Sequence, residues 1–273
     1  MAKVDKSQLS KAEWKKLKEF RRKEKALARS EKKKKQSLND IRHKVQEQTK
    51  PLEHQPEFLA QSNPKQQITF PKNDDPKIAF VLGNGTSRRP IEPETLKHYG
   101  KVYACNAIYR TFDPDYLVAV DTKMILELHK AGYQKKNPNV WTNPNKSLMK
   151  YKGFNFFSPS KGWSSGPTAL WLASQHGYDK IYILGFDYRG LEDGQKFNNV
   201  YADTPNYKKS SDSATFFGNW MRQTLTTIKE HKHIEYFRVI APDNYRPQEL
   251  NKLDNVQTIL VEDFNKIFKN PQI

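Results

Sequence analysis

Residues able to do chemistry recur at the ends of short apolar runs. Ile78-Ala-Phe-Val-Leu82 is followed at once by Gly83-Asn-Gly-Thr-Ser87. Two glycines let a chain turn tightly and let a ligand approach without meeting a Cβ, while Asn84, Thr86 and Ser87 supply short polar groups. The stretch has neither the third glycine of a dinucleotide fingerprint nor the Lys-Ser/Thr of a P-loop, so alone it reads as a plain turn or as a phosphate cradle. Val102-Tyr-Ala-Cys-Asn106 ends in an amide able to read a base or a sugar. Leu117-Val-Ala-Val-Asp121 ends in a carboxylate, a residue equally suited to cap a helix. Ile181-Tyr-Ile-Leu-Gly-Phe-Asp187-Tyr188 ends in glycine, carboxylate and phenol. Ser164-Ser-Gly-Pro-Thr168 opens a helical stretch, with proline where a first turn accepts it. Free N–H groups there, beside Ser164 and Ser165, make an anion site.

These groups need elements to carry them. Short β-rich runs at Ile78–Leu82, Val102–Cys105, Leu117–Val120, Val140–Trp141, Ile181–Leu184, Tyr236–Ile240 and Thr258–Val261 read as strands. Helical stretches fall near Pro93–His98, Thr122–Ala131, Pro167–His176, Ser213–Lys229 and Asp263–Phe268. Strands alternating with helices predict an α/β domain over residues 77–273, Rossmann-like, with a mainly parallel sheet. The first run is apolar on both faces, as a central strand with helices on both faces of the sheet must be. In such sheets ligands bind where the carboxyl ends of the strands converge.

Ahead of this domain the character changes. Ser10-Lys-Ala-Glu13 fits a capping box, and no Gly or Pro follows until Pro51. Trp14, Leu17, Phe20, Leu27, Leu38, Ile41 and Val45 form a narrow apolar stripe, which predicts a long basic N-terminal helix over much of residues 1–50. Residues 51–76 carry Pro51, Pro56, Pro64, Pro71 and Pro76 with several glutamines and read as a linker.

The totals narrow the class. The chain carries 47 basic and 30 acidic residues, net +17. Residues 1–50 hold 18 basic against 7 acidic, which places +11 of that charge in the arm and leaves +6 for the rest. Such an arm suits a polyanion, either nucleic acid or an acidic membrane surface, or it is a solvated helix leaning on the domain or on a sister chain in a homo-oligomer. A single cysteine, Cys105, excludes an intramolecular disulfide and a cysteine-based zinc site. No apolar run approaches the roughly 20 residues that span a bilayer, and the N-terminus lacks the apolar segment of a cleaved signal. A cytoplasmic protein is expected.

The motifs resemble a known group. Gly83-Asn-Gly-Thr-Ser87, then Val102-Tyr-Ala-Cys-Asn106, then Ser164-Ser-Gly166 running into Gly177-Tyr-Asp-Lys-Ile-Tyr-Ile-Leu-Gly-Phe-Asp-Tyr188, look like the bacterial sialyltransferases of glycosyltransferase family 42. More distantly they are similar to the 6-hydroxymethylpterin diphosphokinase-like group. The resemblance covers roughly residues 77–230 and leaves the arm aside. It implies a glycosyltransferase-like protein whose cleft holds a nucleotide-sugar donor of the CMP-sugar type, for transfer to an acceptor the sequence does not name. Gly83, Asn84, Gly85, Ser87, Asn106, Ser164, Ser165, Gly166 and Asp187 would line the donor site. Tyr188 and Tyr201 would hold the departing phosphate. A phenol hydrogen-bonded to phosphate stabilises charge developing in the transition state, so neither metal nor other cofactor is needed.

One departure bears on activity. The family places a catalytic histidine ahead of the helix corresponding to about Ser213–Lys229, where this chain reads Tyr207-Lys-Lys-Ser-Ser-Asp-Ser-Ala-Thr-Phe-Phe217. Asp212 is the carboxylate left there to act as general base. His231 and His233 follow the helix and are expected at the surface, while His129 and His176 lie in helical stretches without metal-ligand partners. Trp163, Trp171 and Trp220 are expected in the core or the cleft wall. Phe154, Phe156, Phe157, Lys161 and Trp163 interleave aromatics with charge and would suit an acceptor or a single strand. Two functions therefore stand side by side: a nucleotide-sugar transferase, and a nucleic-acid-associated or assembly protein that works through its basic helix and keeps a degenerate transferase-like domain.

Overall fold

A computed structural model describes residues 76–269. The long basic helix, the arm of residues 1–50 and the linker up to residue 75 lie outside the described residues.

Eight strands form one sheet: β1 (Ile78–Leu82), β2 (Lys101–Cys105), β3 (Tyr116–Val118), β4 (Val140–Thr142), β5 (Asn155–Phe156), β6 (Lys180–Leu184), β7 (Glu235–Ile240) and β8 (Val256–Leu260). Their order is β5-β4-β3-β2-β1-β6-β7-β8, and each neighbouring pair runs parallel. The expected parallel α/β sheet is what the chain forms. Two-residue β5 escapes a reading by periodicity because it is too short to show one.

Alternation along β1 divides the core. Phe80 and Leu82 belong to the apolar cluster on one face, and Ala79 and Val81 to that on the other. Helix α1 (Thr122–Lys130) buries Met124, Ile125 and Leu128 against the first face. Helix α2 (Ser165–Gln175) buries Ala169, Leu170, Leu172 and Ala173 against the second, which α3 (Gly218–Glu230) joins through Ile228. Helix α4 (Val261–Ile267) returns to the first face through Val261 and Phe264. Helices thus cover both faces of the sheet.

Two helix starts differ from expectation. α2 begins at Ser165, which leaves Pro167 within the first turn, where no N–H is needed. α3 begins at Gly218 rather than Ser213, because residues 213–214 are already paired elsewhere: Lys196 bridges Ser213, and the Ala214 N–H donates to the Gln195 carbonyl at 2.8 Å.

Strand order sets the site. From β1 the chain steps outward to β5, then returns to lay β6 on the other side of β1. The order reverses between these two strands, and the crevice that such a reversal opens lies at their carboxyl ends.

Candidate functional site

The loops that leave β1 and β6 cross each other at close range. The Gly83 N–H donates to the Leu184 carbonyl at 2.7 Å, and the Gly85 N–H to the Gly185 carbonyl at 2.9 Å. A Cβ on Gly83 would lie 2.5 Å from the Gly185 oxygen, and one on Gly85 would lie 2.5 Å from the Asp187 carboxyl carbon. Both glycines therefore serve loop-to-loop packing. The space expected for an approaching ligand is occupied by the neighbouring loop.

Asp187 completes the crossing. Its carboxylate accepts from the Ser87 hydroxyl, from the Ser87 N–H at 3.2 Å and from the Asn198 Nδ2 at 3.0 Å. From behind, buried Arg238 on β7 donates through Nε to the Phe186 carbonyl at 3.1 Å and through a terminal nitrogen to the Asp187 carbonyl at 3.4 Å. Ser87 supports the floor and is not itself in the lining.

Above this floor opens a cleft of about 530 Å³. Gly83, Asn84, Gly85, Asn106, Ser164, Ser165, Gly166, Asp187 and Tyr188 all reach its walls. Groups from the ends of β1, β2, α2 and β6 thus meet in one cavity, as the parallel topology requires. Asp121, after β3, joins them.

Several polar atoms in the cleft have no protein partner. Asn84 is 8% exposed, and its Nδ2 donates to the Cys105 carbonyl at 3.2 Å, but its Oδ1 is buried without a donor. The Asn106 Oδ1 is in the same condition. Asn106 holds φ 56°, a left-handed turn that asparagine tolerates better than most side chains. Asp121 occupies the N-cap position of α1, yet its carboxylate makes no capping bond. Buried polar atoms are nearly always hydrogen-bonded, and a residual acceptor in a cleft asks for a ligand donor.

The opposite wall offers donors. Ser164 holds the N-cap position of α2 in the extended conformation, and Ser165, Gly166 and Pro167 of the first turn of this eleven-residue helix line the cavity, at the end where helices carry free N–H groups. The Ser165 hydroxyl accepts from the Val120 N–H at 3.1 Å, which ties the end of β3 to the start of α2. Arg189 and Lys208 add positive charge to the walls. Trp163, Phe186, Phe217 and Trp220 supply aromatic surface.

The phenols are arranged differently from expectation. Tyr188 lines the cleft, but its hydroxyl donates to the Thr224 Oγ1 at 2.8 Å. Tyr201 lies outside the lining; its hydroxyl accepts from Arg88 at 3.2 Å and sits 3.0 Å from the Thr111 hydroxyl. Tyr207, not singled out in the sequence, is the phenol that enters the cleft from the β6–α3 connection. Its oxygen accepts from the Ala107 N–H at 3.4 Å and lies 3.5 Å from the Asn84 Nδ2, which leaves its own proton to give. Burial pushes the Tyr207 phenol up, so it stays protonated near neutral pH.

A salt-bridged clamp holds that connection in place. Arg110 meets Glu127 of α1 through both Nε and a terminal nitrogen at 2.7 Å, and it also donates to the Thr204 hydroxyl and the Pro205 carbonyl. Glu127 further accepts from Tyr109 and from Asn206. The residues just before Tyr207 are thereby tied to α1.

Other expected residues fall elsewhere. Asp212 is exposed and outside the lining, with its carboxylate accepting from the Lys209 N–H at 2.9 Å. His231 is buried, not superficial: its ring contacts the Thr227 carbonyl and the Gln175 side chain, each at 2.7 Å. His233 is exposed. His176 packs with Tyr103 at 2.5 Å, and His129 with Gln134 at 2.9 Å. Phe154 and Phe157 belong to the core and Phe156 packs against it, so of the interleaved aromatics Trp163 alone lines the cleft. Trp171 packs against the core on the α2 face. Cys105 is buried at the floor, where burial pushes its thiol up to about 12 and removes it as a nucleophile. Among the described residues no histidine lines the cleft, no three His, Cys, Asp or Glu side chains gather as a metal site, and no helix is long and apolar enough to cross a membrane.

Compared with models of protein families, with curated proteins and with solved structures, the chain matches none.

Proposed function

We propose that the cleft binds a nucleotide of the CMP-sugar donor type and that the protein is a glycosyltransferase-like nucleotide binder. The observation that carries this reading is that Asn84 and Asn106, each with a buried amide oxygen that lacks a donor, share one cavity lining with the first turn of α2. A ligand satisfying both sides presents N–H or O–H donors at one end and an anion at the other. A nucleoside monophosphate does this, with its base and sugar toward the amides and its phosphate toward the helix.

In a transfer reaction an acceptor hydroxyl oxygen bonds to the sugar's anomeric carbon and gives up its proton to water, while the bond from that carbon to the phosphate oxygen breaks and its electron pair leaves with the phosphate. Donors already in place lower the cost of that charge. The α2 N-terminus, the Ser164 hydroxyl and the Tyr207 phenol take that role, with Tyr207 in the position the resemblance gave to Tyr201. Tyr188 contributes as wall, its proton held by Thr224. Asp212 is not assigned as base, since it sits outside the lining and caps its own turn. A transfer that runs on leaving-group stabilisation alone forgoes the roughly 10²–10⁴-fold that a general base contributes.

Calorimetric titration of the full chain with cytidine monophosphate tests the reading. Micromolar binding is expected, lost in Asn84→Ala and in Asn106→Gly; glycine suits the left-handed turn and removes only the amide. No heat at millimolar ligand, with the protein folded, would overturn it.

A second reading concerns residues 1–50, and the concentration of +11 there favours it. The arm binds a polyanion, and the nucleotide domain is thereby held near nucleic acid or an acidic membrane surface.

A further inference from the structure

Acceptors stand at the ends of three successive strands. The Asn84 Oδ1 follows β1 and the Asn106 Oδ1 follows β2, both without a donor. The Asp121 carboxylate follows β3. It has no hydrogen bond or ion pair among the described residues, although its place at the head of α1 is one where aspartate ordinarily caps. Asp187, the other carboxylate of the lining, is committed to Ser87 and Asn198. Asp121 is therefore the carboxylate of the cleft left to accept from a ligand.

Its neighbourhood says which part of a ligand it meets. Val120, one residue earlier, is tied to Ser165 in the first turn of α2. Asp121, the next residue, thus stands in the lining close to the first turn of α2. A carboxylate does not contact a phosphate there; it takes a hydroxyl carried next to one. In a nucleoside 5′-monophosphate the free hydroxyls are those of the pentose, between the phosphate and the base.

We propose that Asp121 accepts a hydrogen bond from the pentose 2′-hydroxyl of the bound nucleotide and makes the cleft selective for ribonucleotides over deoxyribonucleotides. The proposal rests on the nucleotide reading of the cleft. A ribose 2′-hydroxyl donates to the carboxylate, a charge-assisted bond that is stronger than a neutral one. The deoxy analogue offers only a C–H at that position. Asp121 is exposed and rehydrates when the hydroxyl is missing, so the discrimination expected is about tenfold, below that of a fully buried site.

The test compares cytidine monophosphate with 2′-deoxycytidine monophosphate on the full chain, in wild type, Asp121→Ala and Asp121→Asn. The ratio of the two affinities within each protein cancels the change in overall charge. Wild type is expected to prefer the ribonucleotide about tenfold, and Asp121→Ala to bind both equally. Asp121→Asn keeps the shape and one neutral acceptor, and should fall between them. An unchanged preference in Asp121→Ala would overturn the assignment while leaving the nucleotide reading intact. Failure of wild type to bind either nucleotide would instead overturn the nucleotide reading, and this proposal with it.

Discussion

Ser87 and Asp187, 100 residues apart in the chain, are joined twice: the Ser87 hydroxyl and the Ser87 N–H both donate to the Asp187 carboxylate. This pair of hydrogen bonds ties the loop after β1 to the loop after β6 at the point where the sheet order reverses. The floor of the cleft is thus a cross-link between two loops, and its integrity is a matter of stability as well as of the shape of the cleft.

Ser87→Ala should destabilise the fold by about 1–3 kcal/mol, because a buried carboxylate loses its hydroxyl donor. Gly85→Ala should cost a similar amount for another reason. Gly85 holds φ −65°, which alanine adopts freely, so its cost comes from a Cβ driven against the Asp187 carboxyl group. Urea denaturation measures both. Equal stability of Gly85→Ala and wild type would show that the two loops are not packed as described.

Arg238 is 3% exposed and meets three carbonyls, those of Phe186, Asp187 and Tyr245. The planar guanidinium spans them, whereas an ammonium is a single point. Arg238→Lys should therefore lose about 1–3 kcal/mol in thermal or urea denaturation, and should weaken cytidine monophosphate binding by loosening residues 186–188.

Glu127 makes part of the stability pH-dependent. Partial burial raises its carboxyl, but hydrogen bonds from Tyr109, Arg110 and Asn206 outweigh this, and the net shift is below the ordinary 4.5. A depressed carboxylate contributes stability above its unfolded pKa and loses it as pH falls through the folded value. The stability gap between wild type and Glu127→Gln should be full near neutral pH, shrink as the pH falls below the ordinary 4.5 and close in stronger acid, once the pH has passed the lower folded value. Denaturation at the two pH values reads the gap. A gap that persists unchanged in acid would mean that ionised Glu127 is not what holds the Arg110 clamp.

The arm should betray itself by salt. If residues 1–50 engage a polyanion, binding of the full chain to a duplex oligonucleotide should weaken by about 10³-fold or more between about 50 and 200 mM salt, as counterion release at six or more contacts requires. Replacing Lys32, Lys33, Lys34 and Lys35 with glutamine should flatten that slope and leave cytidine monophosphate binding unaltered. A salt-insensitive affinity would count against the polyanion reading.

Much of the domain is legible in the sequence. β1, β2, β6 and β7 were readable because apolar, β-rich runs between turn residues carry their own signature. Asn84, Asn106, Asp121 and the Ser164–Gly166 stretch could be gathered into one place because a parallel sheet brings the carboxyl ends of its strands together. These inferences need only local pattern and one rule of topology.

What the tertiary structure decided is which partner each of these groups meets. Nothing near Gly85 in the chain indicates that Asp187 fills the space beside it. Nothing near Tyr201 indicates that Arg88 and Thr111 take its hydroxyl while Tyr207 enters the cleft. Asp187 carries a ligand-binding residue's chemistry, yet its lone pairs are engaged by Ser87 and Asn198, whereas Asp121 looks like a helix cap and its carboxylate makes no capping bond. The physical reason is common to all of them. Strand and helix are encoded by neighbours in sequence, but most of the hydrogen bonds that commit these side chains form between loops far apart in the chain, 100 residues for Ser87 and Asp187 and 123 for Asn84 and Tyr207, once the sheet has brought them within reach.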